Sequence, residues 1–89
     1  MIEREVEIVN RLGLHARAAA KLVNLAGTFR CDVRLVQDGQ AIDAKSILGI
    51  LLLAAGKGSR LVLRCDGEDE AAAAEALTGL IAGRFGEES

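Results

Sequence analysis

His15 is the only histidine in the chain, and it stands between Gly13-Leu14 and an alanine-rich run that opens with Ala16 and Arg17. If that run is a helix, its first backbone N–H groups have no partner within it, and together with the helix dipole they form a cradle for an anion such as phosphate. A neutral imidazole there is a nucleophile beside an anion site. Arg17 adds a planar fork of donors suited to phosphoryl oxygens, although its charge opposes the dipole. A cation at the unfavourable end of a helix hints at a ligand. The plainer alternative is that His15 is a helix cap and Arg17 a solvated charge.

Two other kinds of reactive side chain occur. Ser46 precedes the apolar run Ile47 to Ala54, so its hydroxyl has the place of an N-cap. Cys31 and Cys65 lie far apart in alternating segments and read as reduced core side chains. One histidine and two isolated cysteines do not make a zinc site, and no metal or cofactor is expected.

The elements that must position these groups follow from periodicity. Arg4 to Val9 alternates, with Val6 and Ile8 on one face and Glu5 and Glu7 on the other, as in a half-buried strand. Ala16 to Ala26 carries Ala19, Leu22, Val23 and Ala26 at helical spacing and stops at Gly27. Cys31, Val33 and Leu35 mark a second strand, and Asp38-Gly39 turns the chain into a short third strand from Gln40 to Ala44. After the Ser46 helix, closed by Gly56, a fourth strand alternates through Leu61, Leu63 and Cys65. A last helix begins near Glu68 to Glu70 and runs towards Gly83, and the tail from Gly86 to Ser89 reads as frayed. The order βαββαβα, with one apolar face per strand and one apolar stripe per helix, predicts an α+β open-faced sandwich. Its four-stranded antiparallel sheet is covered on one face by three helices.

The second helix is apolar nearly all round. If Ile50 and Leu53 face the sheet, then Ile47, Leu48 and Leu51 face outward, and such a cluster suggests a docking surface.

Eighty-nine residues with 11 basic and 13 acidic side chains, net charge -2, describe a single small acidic domain spanning 1–89. The longest apolar run, Ile50 to Ala55, is far below the roughly 20 residues of a membrane span, so a soluble chain without membrane insertion is expected, and the N-terminus has no secretory pattern. Two phenylalanines, Phe29 and Phe85, are the only aromatics. With a negative net charge, that argues against a nucleic-acid partner.

The segment Asn10 to Ala20, N-R-L-G-L-H-A-R-A-A-A, resembles the active-site segment of the histidine-containing phosphocarrier (HPr) family of the bacterial phosphotransferase system. The likeness extends over essentially the whole chain, through A-K-S-I-L-G-I around Ser46, G-K-G-S before the fourth strand and G-E-D-E at Gly67 to Glu70. The resemblance implies that His15 accepts a phosphoryl group on Nδ1 from enzyme I and passes it to enzyme IIA domains, with Arg17 steadying the group. It implies that Ser46 is a target of HPr kinase/phosphorylase in bacteria that have that enzyme. It also implies that Ile47, Leu48 and Leu51, with Arg11, Arg17, Lys21 and Lys45 around them, dock the partners. On this reading the chain is a cytoplasmic carrier, expected as a monomer, that needs no cofactor and is not itself an enzyme.

Three positions depart from the family pattern. Ala18 stands where proline is usual, and Asn24 and Gly27 stand where lysine is frequent. The segments E-I-V-N-R-L-G-L-H-A-R and I-A-G-R-F-G-E-E-S are also similar to the nitrogen-related carrier NPr, so the branch stays open. An independent enzyme using His15 as a base finds few candidates for an orienting carboxylate by spacing, and a regulatory binding module would leave His15 incidental.

Overall fold

The computed structural model describes residues 1–89. In chain order it contains β1 (Ile2–Glu7), α1 (Ala16–Ala26), β2 (Asp32–Gln37), β3 (Gln40–Asp43), α2 (Ile47–Leu53), β4 (Arg60–Asp66) and α3 (Glu70–Ala82), then a short 3₁₀ turn, Arg84–Gly86. The strands form one antiparallel sheet in the order β1-β4-β2-β3. This is the expected open-faced sandwich. β4 lies in the sheet interior, where Leu63 pairs with Arg4 on one side and Leu35 on the other.

Alternation explains which face is covered. Val6, Val33, Leu35, Leu61, Leu63 and Cys65 are buried, whereas their neighbours Glu5, Glu7, Asp32 and Arg60 are exposed. Across the open face Arg64 donates to Glu3 at 3.1 Å, a solvent-side pair of small energetic weight. On the covered face α3 lies on β1 and β4, α2 lies against β3, and α1 touches both α2 and α3. Ala18, Ala19, Leu22 and Ala26 of α1 meet Ala73, Ala74, Leu77 and Ile81 of α3 in one core of 21 buried residues. Small alanines on both stripes let helices and sheet approach closely.

Turns fall where the residues permit them. Asp38 and Gly39 both have positive φ, 51° and 80°, as a two-residue hairpin turn between antiparallel strands requires. Helix α2 differs from expectation at its end: Ala54, left-handed at φ 52°, closes it before Gly56 is reached. Helix α3 starts at Glu70, within the expected Glu68 to Glu70. Asp69 is its N-cap but makes no side-chain cap bond; its carboxylate accepts the backbone N–H groups of Arg30 at 2.8 Å and Cys31 at 2.9 Å, tying the β2 approach to the start of α3. Those donors, Arg30 first, hold the Asp69 carboxyl below its ordinary value. Glu70, in the first turn, reaches back to accept from Gly67 N–H at 3.1 Å.

The tail is the clearest correction. Residues read as frayed are anchored by Phe85, which is fully buried, and by Lys21, whose Nζ donates to the Phe85 carbonyl at 2.6 Å. Glu87 is bonded to Asn10, and Arg84 donates to the Glu88 carbonyl at 2.9 Å. A buried aromatic and these polar contacts order a tail that propensity alone would leave loose.

No helix is long and apolar enough to cross a membrane.

Candidate functional site

The loop Val9 to Leu14 delivers His15 to the head of α1. Gly13 has φ 65°, and a Cβ there would sit 2.5 Å from the Ala55 carbonyl oxygen and 2.8 Å from Gly56 Cα, so glycine is required twice over. Next to it Leu14 N–H donates to the Ala55 oxygen at 2.9 Å, and Leu14 is buried. The loop is thereby fastened to the chain that leaves α2. Asn10, fully buried, braces it from within by donating its side-chain N–H to the Gly13 carbonyl at 2.8 Å.

His15 is the N-cap of α1, with extended backbone at φ -71°, ψ 175°. Its Nδ1 accepts from Arg17 N–H at 3.3 Å, so the ring is turned towards the first, unpaired amides of the helix. The side chain is 27% exposed, enough for approach from solvent. The opposite ring nitrogen, Nε2, is hydrogen bonded to the Glu87 carboxylate. The other oxygen of that carboxylate accepts from Asn10 Nδ2 at 3.0 Å. Asn10 and then His15 pull the Glu87 carboxyl below its ordinary value. Since Nδ1 accepts a hydrogen bond and Nε2 faces an acceptor, the neutral ring carries its proton on Nε2 and a lone pair on Nδ1.

An open cavity of about 440 Å³ fronts this ring, lined by Arg11, Leu12, Ala16, Arg17 and the 87–89 tail. The Arg17 side chain is exposed and lines it, and makes no ion pair within the chain. Ala18 is buried in the first turn.

Ser46 is the N-cap of α2, as its place in the sequence implies, its Oγ accepting from Gly49 N–H at 3.2 Å. Beyond it Ile47, Leu48 and Leu51 do face solvent, while Ile50 is buried and Leu53 half-buried. Leu52, the most exposed of the helix at 75%, and Leu12 beside His15 extend the apolar surface further than the three-residue spacing indicated. Lys21 and Lys45 are both engaged: Lys21 Nζ with the Phe85 carbonyl, and Lys45 Nζ with the Phe29 carbonyl at 2.8 Å.

Glu87 and Asn10 are the two site residues that spacing did not find, and Glu87 supplies the orienting carboxylate that local sequence lacks. It lies 72 residues from His15. Phe85, an isolated aromatic in a polar tail, is the one signal that this segment returns to the core.

Comparison with known proteins decides the family. The family model for the PTS HPr component phosphorylation site matches residues 2–83. The phosphocarrier protein HPr of Cupriavidus necator is 54% identical over 87 residues, covering 98% of each chain. The chain belongs to the HPr phosphocarrier family. An HPr crystal structure from Thermoanaerobacter tengcongensis superposes with a TM-score of 0.96 at 42% identity, covering both chains completely. The phosphocarrier protein NPr of Shewanella violacea is 43% identical over 88 residues, 99% of this chain and 97% of that one, so both named branches of the family are represented among its bacterial relatives.

Proposed function

We propose that residues 1–89 act as a single carrier domain in the cytoplasm, accepting a phosphoryl group on His15 Nδ1 from phosphorylated enzyme I and passing it to enzyme IIA domains. The observation that carries this reading is the His15 ring itself: partly exposed, proton held at Nε2, lone pair at Nδ1 turned towards the amides that begin α1. Phosphoryl transfer is mainly positioning and charge stabilisation, so a nucleophile, backbone donors and one cation suffice. When Nδ1 attacks, its weak bond to Arg17 N–H is released, and that amide is free to meet a phosphoryl oxygen. The Arg17 guanidinium reaches the same group from the cavity wall. The chain is then a substrate of other enzymes and has no turnover of its own.

The exposed Ile47, Leu48 and Leu51, with Lys21 and Lys45 at their margins, serve as the docking surface on this reading. Ser46, half-exposed at the head of that surface, is the site for regulatory phosphorylation by an HPr kinase/phosphorylase. A phosphate there adds close to two negative charges where an acidic partner would land. A purified kinase that leaves Ser46 unmodified removes this part. The test of the main reading is incubation with enzyme I and labelled phosphoenolpyruvate: acid-labile, base-stable label appears in the parent chain and vanishes in His15→Ala.

The alternative is a nitrogen-type role, regulatory and uncoupled from sugar uptake: a relative named NPr is 43% identical, against 54% for the HPr of Cupriavidus necator. Acceptance from a nitrogen-type enzyme I much faster than from a sugar-type one selects it; the reverse selects the sugar branch.

A further inference from the structure

We infer that Glu87 is a positioning residue for phosphoryl transfer, setting which nitrogen of His15 carries the proton and meeting the charge that the ring acquires. The inference rests on the carrier reading and deepens it. The bond-making step is balanced without any proton leaving: the Nδ1 lone pair forms the N–P bond, the bond from phosphorus to the donor protein breaks, and the donor leaves with that electron pair. The proton stays on Nε2. The ring therefore becomes positively charged as the N–P bond forms, and a carboxylate bonded to Nε2–H faces that charge at the place where it develops.

The placement of Glu87 is over-determined by the fold. Phe85 is fully buried two residues before it, Lys21 holds the Phe85 carbonyl at 2.6 Å, and Asn10 holds the second Glu87 oxygen at 3.0 Å. Only 17% of the Glu87 side chain is exposed. A surface carboxylate that met the ring by chance would have none of these braces.

The orientation of Asn10 makes the role testable in a way that a merely structural part would not reproduce. Asn10 Nδ2 donates to two acceptors, the Gly13 carbonyl and Glu87. Turning the Asn10 amide over would set its oxygen against the Gly13 oxygen, so the donor face towards residue 87 is fixed. In Glu87→Gln the new carbonyl oxygen must therefore answer Asn10, and the new NH₂ must point at His15. The ring can accept that N–H only with Nε2 deprotonated, which moves its proton to Nδ1 and removes the lone pair that attacks phosphorus. In Glu87→Ala only the weak Arg17 N–H bond to Nδ1 still bears on the tautomer, and it favours the reactive one.

The conservative substitution should thus be the more damaging. With phosphorylated enzyme I as donor, Glu87→Gln lowers kcat for acceptance about 10- to 100-fold with little change in KM, while Glu87→Ala loses less. In ¹⁵N-labelled protein the ring proton sits on Nε2 in the parent and on Nδ1 in Glu87→Gln. Parental rates in Glu87→Gln, an equal or larger loss in Glu87→Ala, or a proton that remains on Nε2 in the Gln variant would each overturn the inference. A parent chain that accepts no phosphate from enzyme I would instead overturn the carrier reading on which it stands.

Discussion

Gly13 and Ala18, two small residues near His15, differ in what a substitution should cost. Replacing Gly13 by alanine puts a methyl group 2.5 Å from a backbone oxygen at φ 65°, and should destabilise the fold by roughly 1 to 3 kcal/mol. Denaturant unfolding measures the loss, and phosphate acceptance should fall with it because the same loop places His15. Ala18 is the opposite case. Its N–H lies in the first turn, where no intrahelical partner exists, so Ala18→Pro should leave acceptance largely intact in the enzyme I assay. Loss of acceptance there would mean that the first turn needs the freedom alanine gives it. His15, Arg17 and Ser46 were legible as candidates because each stands beside a helix start, while the roles proposed for them come from the family resemblance. Glu87 was not, because its partner Asn10 and its target His15 are remote in sequence, and no local period connects a polar tail to the far end of the chain.

At the scale of elements, α1 matched its spacing end to end, whereas the neighbouring boundaries moved by one or two residues. The reason is physical: α1 has a single apolar stripe between His15 and Gly27, while α2 is apolar on most of its surface and stops at a left-handed alanine that no propensity marks. The start of α3, at Glu70, lies within the expected range, and Asp69, in the N-cap position, spends its carboxylate on the backbone N–H groups of Arg30 and Cys31. Leu51 is 38% exposed, so Leu51→Glu should keep the melting temperature near that of the parent while raising KM for acceptance from enzyme I. A variant that folds normally and docks at the parental KM would remove Leu51 from the interface.

The whole molecule is closed by its last residues. Phe85 is the largest fully buried side chain, and Phe85→Ala should cost about 3 to 5 kcal/mol, read as a lower midpoint in chemical denaturation, and release Glu87 from the ring. Acid should loosen the fold as well. The carboxyls of Asp69, Glu70 and Glu87 are each held below their ordinary values of 3.8, 4.5 and 4.5 by the N–H groups and charges around them. A depressed carboxyl contributes its stability above the unfolded value and loses it as pH falls through the folded one. The melting temperature should therefore decline below about pH 4.5, the ordinary glutamate value, and the decline should be shallower in Glu70→Gln, which lacks one of the three groups. Protein labelled with ¹⁵N in its single histidine, phosphorylated by enzyme I and phosphoenolpyruvate and examined by ³¹P and ¹⁵N NMR, should show phosphorus coupled directly to Nδ1 of His15. Phosphorus on Nε2, on another residue, or nowhere in the chain would contradict the account.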